Sequence, residues 1–211
     1  MSLLMALVMV VTLLASCGGG GTGSSDDPEV RTANLPNTAS LTTSDPHMST
    51  NTHDYTVHEN IYEGLYDLNE ATGGYELRLA EKVEPNEDST EYIVTLKQGV
   101  KFHNGETMTA DDVVFSYGLA QQSARMASYI RTLDHVEKID DNTVKIVMNQ
   151  PFSPIGHMLH KIKVLSQKEV TEQGEDFGKI ANKAGTGPYM WDENDYNPMT
   201  AWSAVAFEDY H

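Results

Sequence analysis

The stretch from Glu91 to Gln121 constrains the fold most, because it carries three local structural signals in unbroken succession. Its first part alternates in a period of two, which predicts a strand with one packed face. Asn104-Gly105 then predicts a tight turn, since both residues tolerate a positive φ at little cost. The strand residues expected to face inward are Tyr92, Val94 and Leu96.

The third signal is the start of a helix. Thr109 stands three residues before Asp112, which predicts a capping box with a short acid. An apolar stripe at helical spacing follows and predicts the packed side of the helix. This stripe consists of Val113, Val114, Tyr117 and Ala120. A strand, a turn and a capped helix indicate a fold, but they identify no catalytic or binding residue.

The same stretch also fits the pattern L-x-x-G-V-K-F-H-x-G-x-x-x-T-A-x-D-V-x-F-S. The matching residues are Leu96, Gly99, Val100, Lys101, Phe102, His103, Gly105, Thr109, Ala110, Asp112, Val113, Phe115 and Ser116. This pattern resembles the signature region of the family 5 extracellular solute-binding proteins, which are the oligopeptide, dipeptide and nickel receptors of ABC importers. The resemblance implies an α/β fold of the type II periplasmic-binding class.

Four further segments are similar to that family: Asp45-Pro46-His47, Ile61–Leu65, Leu79–Glu81 and Gly185–Tyr189. Gly64 is interpreted as an ordinary helix breaker, and the segment at 185–189 as a turn. Family members are much longer than this chain. The resemblance therefore implies that residues 32–211 form the N-terminal part of a solute-binding domain, namely most of its first lobe.

Weaker patterns predict the remaining elements. A short strand is expected at Thr32–Asn34, and the polar run Met48–Thr56 is expected to stay a loop because it has few apolar residues to bury. A helix is expected from Val57 to Leu65. Arg125–Leu133 is ambiguous between helix and loop. Strands near 144–148 and 204–207 and a helix across 155–162 complete the prediction.

The N-terminus has the features of a secretion signal. Leu3–Ala15 is too short to span a bilayer but suits the apolar core of a signal peptide. It ends in Leu14-Ala15-Ser16-Cys17, which resembles a bacterial lipobox and implies cleavage before a lipidated Cys17. Residues 1–17 are therefore predicted to be a lipoprotein signal peptide. Residues 18–31, rich in Gly, Ser and Asp, are predicted to be a flexible tether to the membrane anchor.

The charge balance excludes several partners. The chain has 31 acidic and 14 basic residues, a net charge of −17 at pH 7. This argues against binding to nucleic acid and against adhesion to anionic lipid by charge. Cys17 is the only cysteine, so no intramolecular disulfide can form. We expect a monomer.

Catalytic motifs are absent from the sequence: it has no G-x-S-x-G, no H-E-x-x-H and no phosphate loop. Asp111-Asp112 and Asp140-Asp141 fall at a helix start and in a turn, where acids are expected for capping. The sequence therefore predicts a protein that is not an enzyme and has no cofactor.

The eight histidines raise the question of a metal site. His157 and His160 could share one face of a helix, and another group lies close in sequence. Metal ligation needs converging side chains held by hydrogen bonds. We therefore interpret these residues as scattered surface histidines and predict no metal site. His103 is interpreted as a structural hydrogen-bonding residue. The other candidate metal-ligating histidines, which lie close together in the sequence, are His47, His53 and His58.

Ligand contacts are implied by the family resemblance. In peptide-binding members, the loop before V-Y-E-G-L lines the cleft and offers main-chain hydrogen bonds to an extended peptide. Asn51, Thr52 and His53 occupy that loop here. Tyr55 falls where nickel-binding members approach their ligand. The family's Y-A-S-Y segment corresponds to residues 126–129, with Met126 replacing the first aromatic and Tyr129 keeping the second.

The resemblance implies a receptor that captures extended oligopeptides without catalysis and delivers them to an ABC permease. Its expected location is the outer face of the cytoplasmic membrane, or the periplasm, where it is held by the lipid anchor at Cys17. The alternative within the family is a receptor for nickel or a metal chelate. Two other classes stay open: a secreted hydrolase domain, and a lipid-anchored module that no longer binds solute.

Overall fold

The computed structural model describes residues 40–197 and 201–211. The predicted signal peptide at 1–17 with Cys17, the tether at 18–31 and the strand at 32–34 lie outside the described residues. Within those described ranges, no helix combines the length and apolar character needed to cross a membrane.

Helices and strands are mixed along the chain. The helices are α1 (Thr52–Ile61), α2 (Ala110–Gln122), α3 (Ala127–Ile130), α4 (Gly156–Lys161) and α5 (Gln167–Gln173). The strands are β1 (Tyr66–Asn69), β2 (Gly74–Leu77), β3 (Ala80–Pro85), β4 (Glu91–Leu96), β5 (Leu133–Asp140), β6 (Thr143–Met148), β7 (Tyr189–Asn197) and β8 (Ala201–Ala206). They pair antiparallel as β1–β2, β3–β4–β6–β5 and β7–β8.

Strand β4 confirms the predicted alternation. It lies inside the four-stranded sheet, between β3 and β6. Tyr92, Val94 and Leu96 are at most 3% exposed, whereas the residues between them are half-buried. Helix α2 packs on the neighbouring strands β5 and β6. The buried face of β4 therefore belongs to the same core as the apolar stripe of α2.

The turn and the capped helix are also confirmed. Gly105 has a φ of +84°, which an L side chain rarely adopts. The backbone N–H of Thr109 donates to Asp112 Oδ2 at 2.9 Å, which closes the capping box before α2. Val113 and Tyr117 are at most 1% exposed. The stripe predicted from the sequence is thus the inward face of this helix.

Helix α1 begins at Thr52, so the prediction of a loop across Met48–Thr56 is wrong in its second half. Asn51 explains the early start, because its side chain accepts a hydrogen bond from the N–H of Asp54 at 2.9 Å. Asp54 is itself fully buried and accepts from the N–H of Thr42 at 3.2 Å. These polar contacts stabilise a helical turn that hydrophobic periodicity does not register.

The glycines at 64 and 185 permit close packing of the backbone. Helix α1 ends at Ile61, and Gly64 pairs with Lys163 in an isolated β-bridge. A Cβ on Gly64 would stand 2.5 Å from the carbonyl oxygen of Leu159, and one on Gly185 would collide with the carbonyl oxygen of Ile61. The interpretation of Gly64 as a helix breaker is therefore wrong. It is required where two chain segments touch.

Two hydrophobic clusters form the core. The larger lies around the four-stranded sheet, α2 and α4, and includes Val94, Val113, Ile146 and Leu159. The smaller one joins α1 to β7 and consists of Leu41, Val57, Ile61, Tyr62, Leu165, Ala184 and Trp191. Predicted elements near 144–148, 155–162 and 204–207 correspond to β6, α4 and β8, and the ambiguous segment at 125–133 contains the short α3.

We expect Val113→Asp to destabilise the protein by several kcal/mol, because Val113 is fully buried and an unpaired carboxylate there would lose its hydration. Asp111→Ala serves as the neighbouring control. Asp111 is exposed and pairs with Lys138 at 2.7 Å, a contact worth at most ~1 kcal/mol. Urea unfolding measures both variants, and equal midpoints would contradict the placement of α2.

Candidate functional site

Two buried histidines fix the segment that leads into α1. His58 Nε2 lies 3.0 Å from the carbonyl oxygen of Thr43 and must donate to it, so its Nδ1 accepts from the Ser49 hydroxyl at 2.9 Å. His47 Nε2 accepts from the backbone N–H of Lys163 at 3.1 Å. The segment predicted to line the ligand cleft is therefore held on both sides by neutral imidazoles.

His47, His58 and His160 correct the expectation of scattered surface histidines, whereas His103 was expected to be structural. His47, His58, His103 and His160 are at most 6% exposed. Burial lowers the pKa of each to about 4, so all four are neutral at pH 7. His103 Nε2 lies 2.9 Å from the carbonyl oxygen of Gly187, which confirms its structural hydrogen bond.

Three of the predicted contact residues, Asn51, Thr52 and His53, lie at the start of α1. Thr52 is exposed and the other two are half-buried. Asn51 caps the helix, and its carbonyl accepts from the N–H of Tyr55 at 3.3 Å. His53 Nε2 has no hydrogen-bond partner in the described part of the chain. The loop expected to offer main-chain hydrogen bonds to a peptide is thereby shortened to the residues up to Asn51, of which 46–48 form a turn.

The structure brings Tyr55 and Tyr129 into one neighbourhood, where both are half-buried. Burial raises the pKa of the Tyr55 hydroxyl, nearby Tyr129 raises it further, and Arg125 opposes both. The Lys161 ammonium lies 5.2 Å from the centre of the Tyr55 ring, within the range of a cation–π contact. Met126, in contrast, is 1% exposed and packs in the larger core. It does not reach the surface with the two tyrosines.

Residues that the sequence did not single out as contacts extend this surface. His157 meets Tyr129 edge-on at 5.2 Å and stacks on Tyr75 at 6.2 Å between ring centres. The spacing of His157 and Lys161, four apart on α4, was the available signal. We name the aromatic–lysine face by its residues: Tyr55, Tyr75, Tyr129, His157 and Lys161.

A possible metal-binding group lies beside this face. Ligand atoms of Glu59, Asp67 and His160 lie within 4.8 Å of one another. His160 Nε2 is 3.6 Å from Glu59, and its Nδ1 is 3.8 Å from Asp67. A neutral imidazole with two carboxylates suits zinc or nickel. However, the buried Lys163 ammonium is 2.6 Å from Glu59, and it would compete with any metal ion there.

A cavity of about 360 Å³ adjoins the segment from Asp45 to Met48, and Ser123, Val170 and Phe177 also line it. Burial raises the pKa of Asp45 to about 6, although a 2.8 Å hydrogen bond from the N–H of His47 opposes the shift. The start of the segment predicted to bind the ligand therefore lines a concave surface.

Comparison with solved structures shows the fold of a type II periplasmic binding protein. MoaA from A. tumefaciens R10, solved with mannopinic acid, has a TM-score of 0.73 at 29% identity, over 81% of this chain and 36% of that one. The oligopeptide-binding protein AppA from Bacillus subtilis, solved with a nonapeptide, has a TM-score of 0.68 at 25% identity, over 82% and 35%. The described chain therefore corresponds to part of that fold.

The chain belongs to the bacterial extracellular solute-binding proteins of family 5, whose middle region matches residues 74–211. Among curated relatives, the glutathione-binding protein GsiB of Pectobacterium atrosepticum is 30% identical over 173 residues. That match covers 78% of this chain and 33% of the relative, so the chain spans about a third of the relative's length.

The buried neutral histidines predict acid sensitivity. Their pKa falls from 6.5 to about 4 on folding, so the unfolded chain binds more protons between these values. Stability that is complete above pH 6.5 is then lost as the pH falls toward 4. The raised pKa of Asp45 acts in the opposite direction, but it is one group against four. We expect urea unfolding to show a loss of up to about 3 kcal/mol for each of the two most deeply buried histidines, His47 and His58, and less for the others.

His58→Gln should make this pH dependence shallower, because glutamine keeps a neutral polar side chain and removes one titrating group. His135→Gln is the matched control, since His135 is exposed on β5. A free energy of unfolding that stays constant between pH 7 and 5 would refute the assignment of neutral buried histidines.

Proposed function

We propose that this protein is the solute-binding component of an ABC importer and captures short, extended peptides outside the cell membrane. The observation that carries the proposal is that Tyr55 and Tyr129 lie in one neighbourhood on the aromatic–lysine face, next to the non-helical segment that ends at Asn51. Tyrosine rings offer contact area with little loss of side-chain freedom. Backbone groups of such a segment can offer hydrogen bonds to an extended peptide.

Two of the relatives support the same solute class, whereas MoaA was solved with mannopinic acid. GsiB of Pectobacterium atrosepticum is named for glutathione, and AppA was solved with a nonapeptide. We propose capture without catalysis, in which the bound solute shifts the receptor toward a closed state that the permease recognises. The receptor acts as a monomer, on the outer face of the cytoplasmic membrane or in the periplasm, and is not an enzyme.

A receptor for nickel or a metal chelate is the second candidate, because Glu59, Asp67 and His160 lie within 4.8 Å of one another. The peptide function is favoured over it, since Lys163 already neutralises Glu59 at 2.6 Å. Bringing a divalent ion to this group would place it next to a buried ammonium.

Calorimetric titration of the protein as its host produces it separates the two functions. We expect tripeptides to release heat and Ni²⁺ to release none. His53→Ala should weaken peptide binding by less than about tenfold, the worth of one hydrogen bond. Exposed His135→Ala is the control. Nickel binding that disappears in a folded His53→Ala or His160→Gln variant, with no heat from any peptide, would replace our proposal by the metal function.

The membrane anchor is tested separately. We expect Cys17 to carry acyl chains, because the apolar run before it ends in Leu-Ala-Ser-Cys and a flexible segment follows. In a bacterial host, the wild type should accumulate in the membrane fraction and take up a fatty-acid label, whereas Cys17→Ser should lose the label. Equal labelling of both proteins would exclude lipidation at this residue.

A further inference from the structure

Lys161 carries a positive charge that the protein neutralises only in part. Its nearest carboxylate oxygen, Glu59 Oε1, is 3.6 Å away, which is too far for a hydrogen bond. The other oxygen of Glu59 already accepts from Lys163 Nζ at 2.6 Å. Within residues 40–197 and 201–211, the ammonium of Lys161 therefore makes no hydrogen bond. Its three donors stay available to a solute.

The position of Lys161 suits recognition of an anion. Its side chain keeps 23% of its surface exposed, and the Tyr55 ring lies 5.2 Å from the ammonium. Arg125 lies near enough to Tyr55 to influence its hydroxyl. This basic and aromatic patch stands on a protein of net charge −17. A solute carboxylate approaching such a protein is repelled overall, so a local cation is needed to hold it.

We propose that Lys161 is the counter-ion for a carboxylate of the bound solute, with Tyr55 and Tyr129 packed against the adjoining part of that molecule. This rests on the proposed function and narrows its solute class to short peptides that present a free carboxylate to the aromatic–lysine face. In the complex, the Lys161 ammonium donates charge-assisted hydrogen bonds to the carboxylate. The Tyr55 ring already lies 5.2 Å from this ammonium, within the range of a cation–π contact.

The charge of the solute distinguishes this role from metal binding. Glu59 neutralises Lys161 only in part, because it also pairs with Lys163. A solute carboxylate at Lys161 supplies the remaining negative charge. A divalent cation at Glu59 would instead repel both lysines. The two kinds of ligand therefore respond in opposite directions to removal of the Lys161 charge.

The first test uses the wild-type protein as its host produces it. Glutathione and trialanine are titrated by calorimetry as free acids and with every carboxylate converted to an amide. We expect the free acids to bind about tenfold more tightly than the amides at low salt, with the difference shrinking as the salt concentration rises. Equal affinities for acid and amide would overturn the inference and leave the proposed function standing. If neither form binds, the proposed function itself fails.

Variants then assign the effect to one residue. Lys161→Met keeps an unbranched side chain of similar length without the charge, and it is expected to bind acids and amides equally, at the affinity that the wild type shows for amides. Lys161→Arg should restore the preference for acids. Lys168→Met is the control for net charge, because Lys168 is exposed on α5 and pairs with Glu106 at 3.0 Å. If Lys161→Met weakens acids and amides by the same factor, the lysine has a structural role and the inference is wrong.

Discussion

The buried carboxylate of Glu63, just after the end of α1, holds together parts of the chain that are distant in the sequence. It accepts hydrogen bonds from Arg78 Nε at 2.5 Å, and from Thr186, Tyr210 and His211 at 2.9 Å each. Burial by itself would raise the pKa of Glu63, but the hydrogen bond from His211 and the charge of Arg78 outweigh it and lower the pKa. A buried charge is tolerated only when its oxygens are satisfied in this way. Four distant parts of the sequence therefore meet at one anion.

The backbone around Glu63 extends this constraint to the site. Its carbonyl accepts from the N–H of Val164 at 2.9 Å, and the next residue, Gly64, pairs with Lys163. The chain here passes from the smaller hydrophobic cluster, which contains Tyr62, to the larger one, which contains Leu65. Because Gly64 allows backbone contact without an intervening side chain, α4 is held close to the end of α1. That closeness places the aromatic–lysine face where the two helices meet.

Local signals made much of the fold predictable, and long-range contacts account for what was missed. The strand ending at Leu96 and the helix capped by Thr109 follow from neighbours within a few residues. The early start of α1 rests on the Asn51 cap, a local polar contact that hydrophobic periodicity does not register, and on Asp54 bonding to Thr42, twelve residues away. The burial of His47 depends on Lys163, still further along the chain. Tyr55 and Tyr129 came from the family resemblance, whereas Tyr75, His157 and Lys161 could be assigned to the candidate site only from the folded arrangement.

Lys161 and Lys163 show how the fold gives two identical side chains different chemistry. Lys163 is 5% exposed, and burial lowers its pKa although Glu59 acts against that shift. The charge of Lys163 is therefore paired with the carboxylate of Glu59. Lys161, two residues earlier, is partly exposed, and its ammonium lies 3.6 Å from the same carboxylate without a hydrogen bond. Since a charge in water interacts mainly with groups within a Debye length, this partly exposed cation contributes to the potential that a nearby solute meets. On the proposed function, solute selection thus depends on this local charge more than on the net charge of −17.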